Sequence, residues 1–229
     1  MTQDRIDKLI EISGLYYIAG NGIVIFEGVD AGFYSGERVA ITGPHGLGKT
    51  TLIRLFLGLD KPQKGTICLF GEDIGMLERP ELDGLRQGIG VVLEDSGIVS
   101  NLKVVENVML PLQYHTEMTS DNIMERAVFL LDHVGYRGDI WALPGPLPSY
   151  TKKTIAFARA ISLDPAIMIY DMLLEGLDAV QSSEMLGLVD KFHKEKKDRL
   201  SIMTINDERD IKEITLDRIL RIENRRILE

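Results

Sequence analysis

The chain predicts an α/β fold with a largely parallel sheet, an antiparallel β portion at the N-terminal end and a helical subdomain inserted at 95–163. Three observations carry this. Apolar strand-like runs alternate with helical patterns along the chain, as parallel sheets require. Six glycines (Gly14, Gly20, Gly22, Gly28, Gly32 and Gly36) punctuate residues 8–41, which read as strands and turns. From about 104 to 163 helical periodicity takes over, as in Asn122-Ile123-Met124-Glu125-Arg126-Ala127-Val128-Phe129-Leu130-Leu131, whose apolar residues share one face.

The elements follow in order. Glu37-Arg38-Val39-Ala40-Ile41-Thr42 reads as a short strand and 49–57 as a helix. Segments 65–70 and 88–93 read as strands. Pro144, Pro146 and Pro148 break the chain after the helical middle, and the next helix is expected at 154–163. Ala166-Ile167-Met168-Ile169-Tyr170 is a buried-strand run ending in Asp171. A helix at 181–197, a strand at 199–205 and a short strand at 218–221 close the chain. Its 229 residues and 45% hydrophobic content support one domain spanning 1–229.

Between the strand at 37–42 and the helix at 49–57 lies Gly43-Pro44-His45-Gly46-Leu47-Gly48-Lys49-Thr50, which fills the spacing G-x-x-x-x-G-K-[ST] without a mismatch. The glycines let the main chain curl so that successive N–H groups point inward at a phosphate chain. Lys49 reaches the terminal phosphates, the Thr50 hydroxyl ligands Mg²⁺, and the helix start at Thr50 and Thr51 adds partial positive charge. A glycine-rich turn that binds nothing does not account for Lys49-Thr50. ATP with Mg²⁺ is the expected ligand. No N-K-x-D guanine-reading motif occurs.

The bulk numbers narrow the classes. A net charge of -9 and a pI near 5.0 disfavour nucleic acid as the main partner. The lone cysteine, Cys68, forms no internal disulfide, fits a reducing compartment, and reads as a buried thiol without a role. Met1-Thr2-Gln3-Asp4-Arg5 lacks a basic region followed by an apolar stretch, so no signal peptide is expected there. No run approaches 18 apolar residues. His45, His115, His133 and His193 are scattered and form no metal-ligand pattern.

Taken together, these motifs resemble the ATP-binding subunit of an ABC transporter, a P-loop NTPase, over nearly the whole chain. Gly65-Thr66-Ile67 with Gly71-Glu72-Asp73-Ile74 is similar to the hairpin after the first helix. Gly90-Val91-Val92-Leu93-Glu94 and Asn101-Leu102-Lys103-Val104-Val105-Glu106-Asn107-Val108 resemble the stretch that touches the membrane subunit, and Ile155-Ala156-Phe157-Ala158-Arg159-Ala160 the helix behind the signature motif. The resemblance implies that Tyr16, or else Tyr17, stacks on adenine; that Asp171, Thr50 and Glu94 hold Mg²⁺; and that Gly176-Leu177-Asp178 faces a second ATP-binding subunit. It implies a membrane permease as partner and a cytoplasmic place on the inner face of the membrane. Leu110-Pro111-Leu112-Gln113-Tyr114-His115-Thr116 is most similar to ATPases of MCE-type, Mla-like phospholipid transport systems.

The chain also departs from that family's pattern. The water-orienting glutamate after Asp171 is Met172, whose thioether accepts no water proton. The histidine expected after the strand at 199–205 is Asn206, and the glutamine expected at 94 is Glu94. The signature reads Leu147-Pro148-Ser149-Tyr150-Thr151: Pro148 has no N–H, and Tyr150 stands where glycine permits close approach. Lys152 and Lys153 read as solvated. No catalytic group is intact. Glu94 is the candidate substitute base, ahead of Glu175, which is expected to point toward the partner. The expected activity is ATP binding with weak hydrolysis in a transporter subunit. The alternatives are a non-hydrolytic, nucleotide-gated regulatory module and a soluble ABC-type ATPase.

Overall fold

The computed structural model describes residues 7–207 and 214–229. The N-terminal stretch read for a signal peptide lies outside them. The first strands, β1 (Lys8–Ile18) and β2 (Val24–Tyr34), form an antiparallel hairpin. β3 (Arg38–Thr42) leads into α1 (Lys49–Phe56), followed by β4 (Lys64–Leu69), β5 (Glu72–Asp73), α2 (Arg79–Arg86) and β6 (Ile89–Val92). Three helices come next: α3 (Val104–His115), α4 (Ser120–His133) and α5 (Ser149–Ala160). β7 (Ile167–Asp171), α6 (Ala179–Lys194), β8 (Leu200–Ile205), β9 (Arg218–Glu223) and β10 (Arg226–Leu228) complete the described chain.

Two sheets result. The four-stranded sheet, ordered β2-β1-β4-β5, is antiparallel. The six-stranded sheet is ordered β10-β9-β3-β8-β7-β6, and only β10 runs antiparallel. β7 and β8 are buried at every position, which is why both read as unbroken apolar runs rather than alternating ones. Their side chains divide by parity. Ile167 and Ile169 join Val39, Ile41, Leu52 and Phe56 beneath the antiparallel sheet and α1. Met168 and Tyr170 join Ala40, Met203 and the apolar faces of α3–α6 on the other side.

Several expectations shift. The helix expected at 154–163 begins five residues earlier, at Ser149. Pro148 caps it with φ −59°, and its missing N–H costs nothing at a helix start, where the first donors have no intrahelical acceptor. α2 and β10 are short and carried no periodic signal; α2 depends on a capping box between Glu78 and Glu81. Cys68 is half-buried rather than buried, because β4 belongs to the outer sheet, in register with Glu11 and Asp73. Burial, then Asp73, Glu11 and Glu72, push its thiol pKa up, which keeps it protonated.

Candidate functional site

The sheet order sets the site. β8 lies between β3 and β7, so residues that follow the C-terminal ends of three parallel strands converge. Thr42 pairs in register with Ile205, and Asp171 with Thr204. The loop after β3, the turn after β7 and Asn206 after β8 therefore meet at one crevice.

The glycine-rich loop leaves β3 through Gly43 (φ 154°), Gly46 (φ 83°) and Gly48 (φ 101°). Gly48 also caps α1, whose first turn has no acidic residue to compete with an anion. A Cβ on Gly48 would come within 2.3 Å of Ile25 Cγ2 and 3.2 Å of Phe26 Cζ, so β2 lies directly against the loop. Lys49 is buried, and its ammonium donates to the Gly43 carbonyl, to the Pro44 carbonyl at 3.0 Å and to Asn206 Oδ1 at 3.0 Å. Burial lowers its pKa, opposed by Asp171 and Glu94. Pro44, His45, Leu47 and Thr50 are exposed on the loop, and Thr51 is half-buried.

Asp171 is buried at the end of β7, where Thr204 Oγ1 donates to its Oδ1 at 2.6 Å. The same hydroxyl accepts from the Met172 N–H at 2.9 Å. Thr204 thus clamps the acidic end of β7, a role no local sequence signal marks. Met172 is 6% exposed and takes φ 48°, an uncommon conformation for a non-glycine residue that costs on the order of 1–3 kcal/mol. Glu94 is exposed after β6. Among the described residues no three His, Cys, Asp or Glu side chains gather as a metal site. Thr50 with one or two carboxylates suits Mg²⁺ carried in with phosphate oxygens, which is how that ion is usually held. The donors at the loop and the carboxylate at Asp171 thus fit Mg-ATP.

Two expectations are corrected. Lys153 is not solvated: it is 1% exposed, and its ammonium donates to the carbonyls of Leu173 (2.7 Å), Glu175 (2.8 Å) and Met172 (3.3 Å). Burial lowers its pKa. The reason is the early start of α5, which turns Lys153 inward under the turn after β7, while Lys152 stays at the surface on the Gly145 carbonyl (2.8 Å). Glu175 is turned into the site, its Oε2 accepting from Asn206 Nδ2 at 3.4 Å. It follows a tight turn in which its own N–H donates to the Met172 carbonyl.

The remaining residues are placed as follows. Tyr16 is half-buried in β1, with Lys64 Nζ 5.8 Å from its ring centroid. Tyr17 engages Asp60, beyond the C-terminal end of α1, and burial raises its pKa. Within the 147–151 stretch, Ser149 is exposed at the start of α5, and Tyr150 lines a cavity of about 410 Å³ with Tyr136 and Leu147. Burial, then Glu184, raise the Tyr150 pKa. Asp178 caps α6, accepting from the Gln181 N–H at 2.9 Å.

A glycine loop joining a central strand to a helix, with an aspartate ending a nearby parallel strand, defines a nucleotide-binding protein of the phosphate-loop class. The chain belongs to the ABC transporter family, whose pattern residues 26–172 match, and is an ATP-binding subunit of that family. It is 30% identical over 207 residues to the intermembrane phospholipid transport system ATP-binding protein MlaF of Haemophilus influenzae, covering 90% of this chain and 76% of that one. It is 29% identical to methionine import ATP-binding protein MetN 1 of Pseudomonas putida, covering 96% of this chain and 65% of that protein. Among solved structures, cbiO1 from Clostridium perfringens, part of the ABC transporter complex cbiONQ, superposes with a TM-score of 0.83 at 26% identity, over 97% of this chain and 88% of that one. The dimeric bacterial ABC transporter cassette MJ0796 gives 0.85 at 25% identity, over 96% and 97%.

Proposed function

We propose that this subunit binds Mg-ATP at residues 43–50, closes against a second ATP-binding subunit and drives a membrane permease, while hydrolysing ATP slowly. In this reading Lys49 neutralises the terminal phosphates, the loop N–H groups hold them, and Thr50, Asp171 and Glu94 surround Mg²⁺. Tyr16 and the helical subdomain at 95–163 retain the roles their positions imply, adenine stacking and permease contact. The subunit sits on the cytoplasmic face of the membrane. The likeness to MlaF supports a phospholipid as cargo.

One observation carries the slow step: Met172 stands where a water-orienting carboxylate belongs, while the Thr204–Asp171 clamp beside it is intact. A positioned acid–base group is typically worth about 10²–10⁴-fold in rate. Glu175 faces the crevice but is shared with Asn206, and Glu94 is placed for the metal. The absence of a base at 172 also favours a second reading, in which ATP occupancy alone gates closure because ATP prefers the closed state.

The test is ATP affinity and turnover of the purified chain, alone and with its partners, beside Lys49→Ala and the double variant Met172→Glu/Asn206→His. We expect micromolar-range binding that Lys49→Ala abolishes, slow turnover, and a gain of on the order of 10²-fold in the double variant. Fast turnover by the unaltered chain would sink the slow-hydrolysis reading. No gain in the double variant would favour the gating reading.

A further inference from the structure

His45, an exposed residue of the phosphate loop, is joined to residues far along the chain. Asn206 Nδ2 donates to His45 Nε2 at 2.6 Å, Lys49 Nζ donates to Asn206 Oδ1 at 3.0 Å, and Glu175 Oε2 stands 3.4 Å from the same Nδ2. These contacts set both the amide orientation and the imidazole tautomer. An ammonium only donates, so Asn206 turns its oxygen to Lys49. Its nitrogen then faces His45 and Glu175, and a donor there requires a lone pair on His45 Nε2. The ring is held neutral, with its hydrogen on Nδ1. An imidazolium would set two donors against each other.

We propose that His45 is a specificity-determining residue that reads the terminal phosphate of a nucleoside triphosphate, and that Asn206 is the positioning residue that keeps it neutral until that phosphate arrives. This deepens the reading of 43–50 as a nucleotide site and rests on it. Lys49 is held here by two neutral carbonyls and one amide oxygen, and charged phosphate oxygens outcompete neutral acceptors for an ammonium. Once Lys49 leaves Oδ1, nothing fixes the Asn206 amide, which is free to turn its oxygen toward His45. His45 then takes a proton from solvent on Nε2, and its charge faces the terminal phosphate. The charged groups around this cluster are Lys49 on α1, Asp171 and Glu94, which both act on Lys49, and Glu175 beside Asn206, with Asp207 next along the chain. The cationic loop position thus stands in for the strand-end histidine that Asn206 replaces. A diphosphate lacks the group that His45 reads, so the gain falls on ATP over ADP.

The experiment measures Mg-ATP and Mg-ADP affinities of the full chain by calorimetry at pH 6 and pH 8, for the unaltered protein, His45→Asn and Asn206→Ala. His45 is exposed, and thermal melts check that each variant folds. The expected ATP-over-ADP preference at pH 6 is about tenfold larger in the unaltered protein than in His45→Asn, the worth of one hydrogen bond to a charged group. That excess shrinks toward pH 8. Any pH dependence left in His45→Asn belongs to the nucleotide's own phosphate. Asn206→Ala is expected to keep the preference at pH 6 and to retain more of it at pH 8. The same preference and pH profile in His45→Asn and the unaltered protein would overturn the role of His45, and an unshifted profile in Asn206→Ala that of Asn206. Failure to bind either nucleotide would overturn the underlying site instead.

Discussion

Replacing Lys153 with methionine tests how the helix after the signature stretch is tied to the end of β7. The ammonium donates to the Leu173, Glu175 and Met172 carbonyls at 2.7, 2.8 and 3.3 Å, and no carboxylate is among its hydrogen-bond acceptors. Methionine keeps the apolar stem and removes the donors. Two short charge-assisted bonds at roughly 1.5 kcal/mol each amount to about 3 kcal/mol. The lowered pKa shows that burial opposes the ammonium, so removing the charge returns part of that loss. The expected net destabilisation is about 2 kcal/mol, or a fall in Tm of about 4–8 °C for a chain of this size. The sign with pH is also set. A lysine whose folded pKa is lowered binds more protons when unfolded, so its contribution to stability improves as pH rises toward 10.5. Lys153→Met should lose that part of the rise. Urea unfolding at pH 7 and pH 9.5 measures both, and amide exchange at 172–176 should quicken. A variant within about 0.5 kcal/mol of the parent, with the same pH slope, would refute the reasoning.

Three further outcomes are expected. Gly48→Ala combines a strained φ of 101° with a Cβ 2.3 Å from Ile25 Cγ2, and should cost about 2–4 kcal/mol, whereas Gly46→Ala, with φ 83° and nothing within 4 Å, should cost about 1 kcal/mol; equal losses in calorimetry would contradict this. His193 is buried against Ser201 Oγ at 2.9 Å, and burial, then Arg38, push its pKa down to about 4. It must stay neutral in the fold, so its stability contribution is present above about pH 6.5 and is lost as pH falls toward 4, by at most about 3 kcal/mol, and His193→Gln should flatten that slope in acid unfolding. Arg199 is fully buried, donating to the Phe192 and Pro165 carbonyls and to Asp164 Oδ1 at 2.6 Å; Asp164→Ala should destabilise the chain by about 3 kcal/mol, and a loss below 1 kcal/mol in urea unfolding would show that the carbonyls suffice.

The phosphate loop was legible because its chemistry is local: glycines, lysine and threonine at fixed spacing need only a strand before and a helix after. The apolar runs at 167–170 and 200–205 likewise announced strands buried on both faces, and Met172, directly after Asp171, marked the missing base. What local pattern does not hold is strand order. Placing β8 between β3 and β7 is decided by packing across the whole sheet, and it alone brings Asn206 to Lys49 and His45, and Thr204 to Asp171. The same limit hid Lys153 and Glu175. A lysine in a helix reads as solvated until the turn after β7 supplies three carbonyls to receive it, and a loop glutamate has no direction until a neighbouring amide gives it one. Residue types along the chain thus determined that a nucleotide is gripped and which catalytic groups are missing. Tertiary packing decided which distant side chains surround that grip, because hydrogen-bond partners 31 to 161 residues apart are chosen by sheet topology and not by spacing.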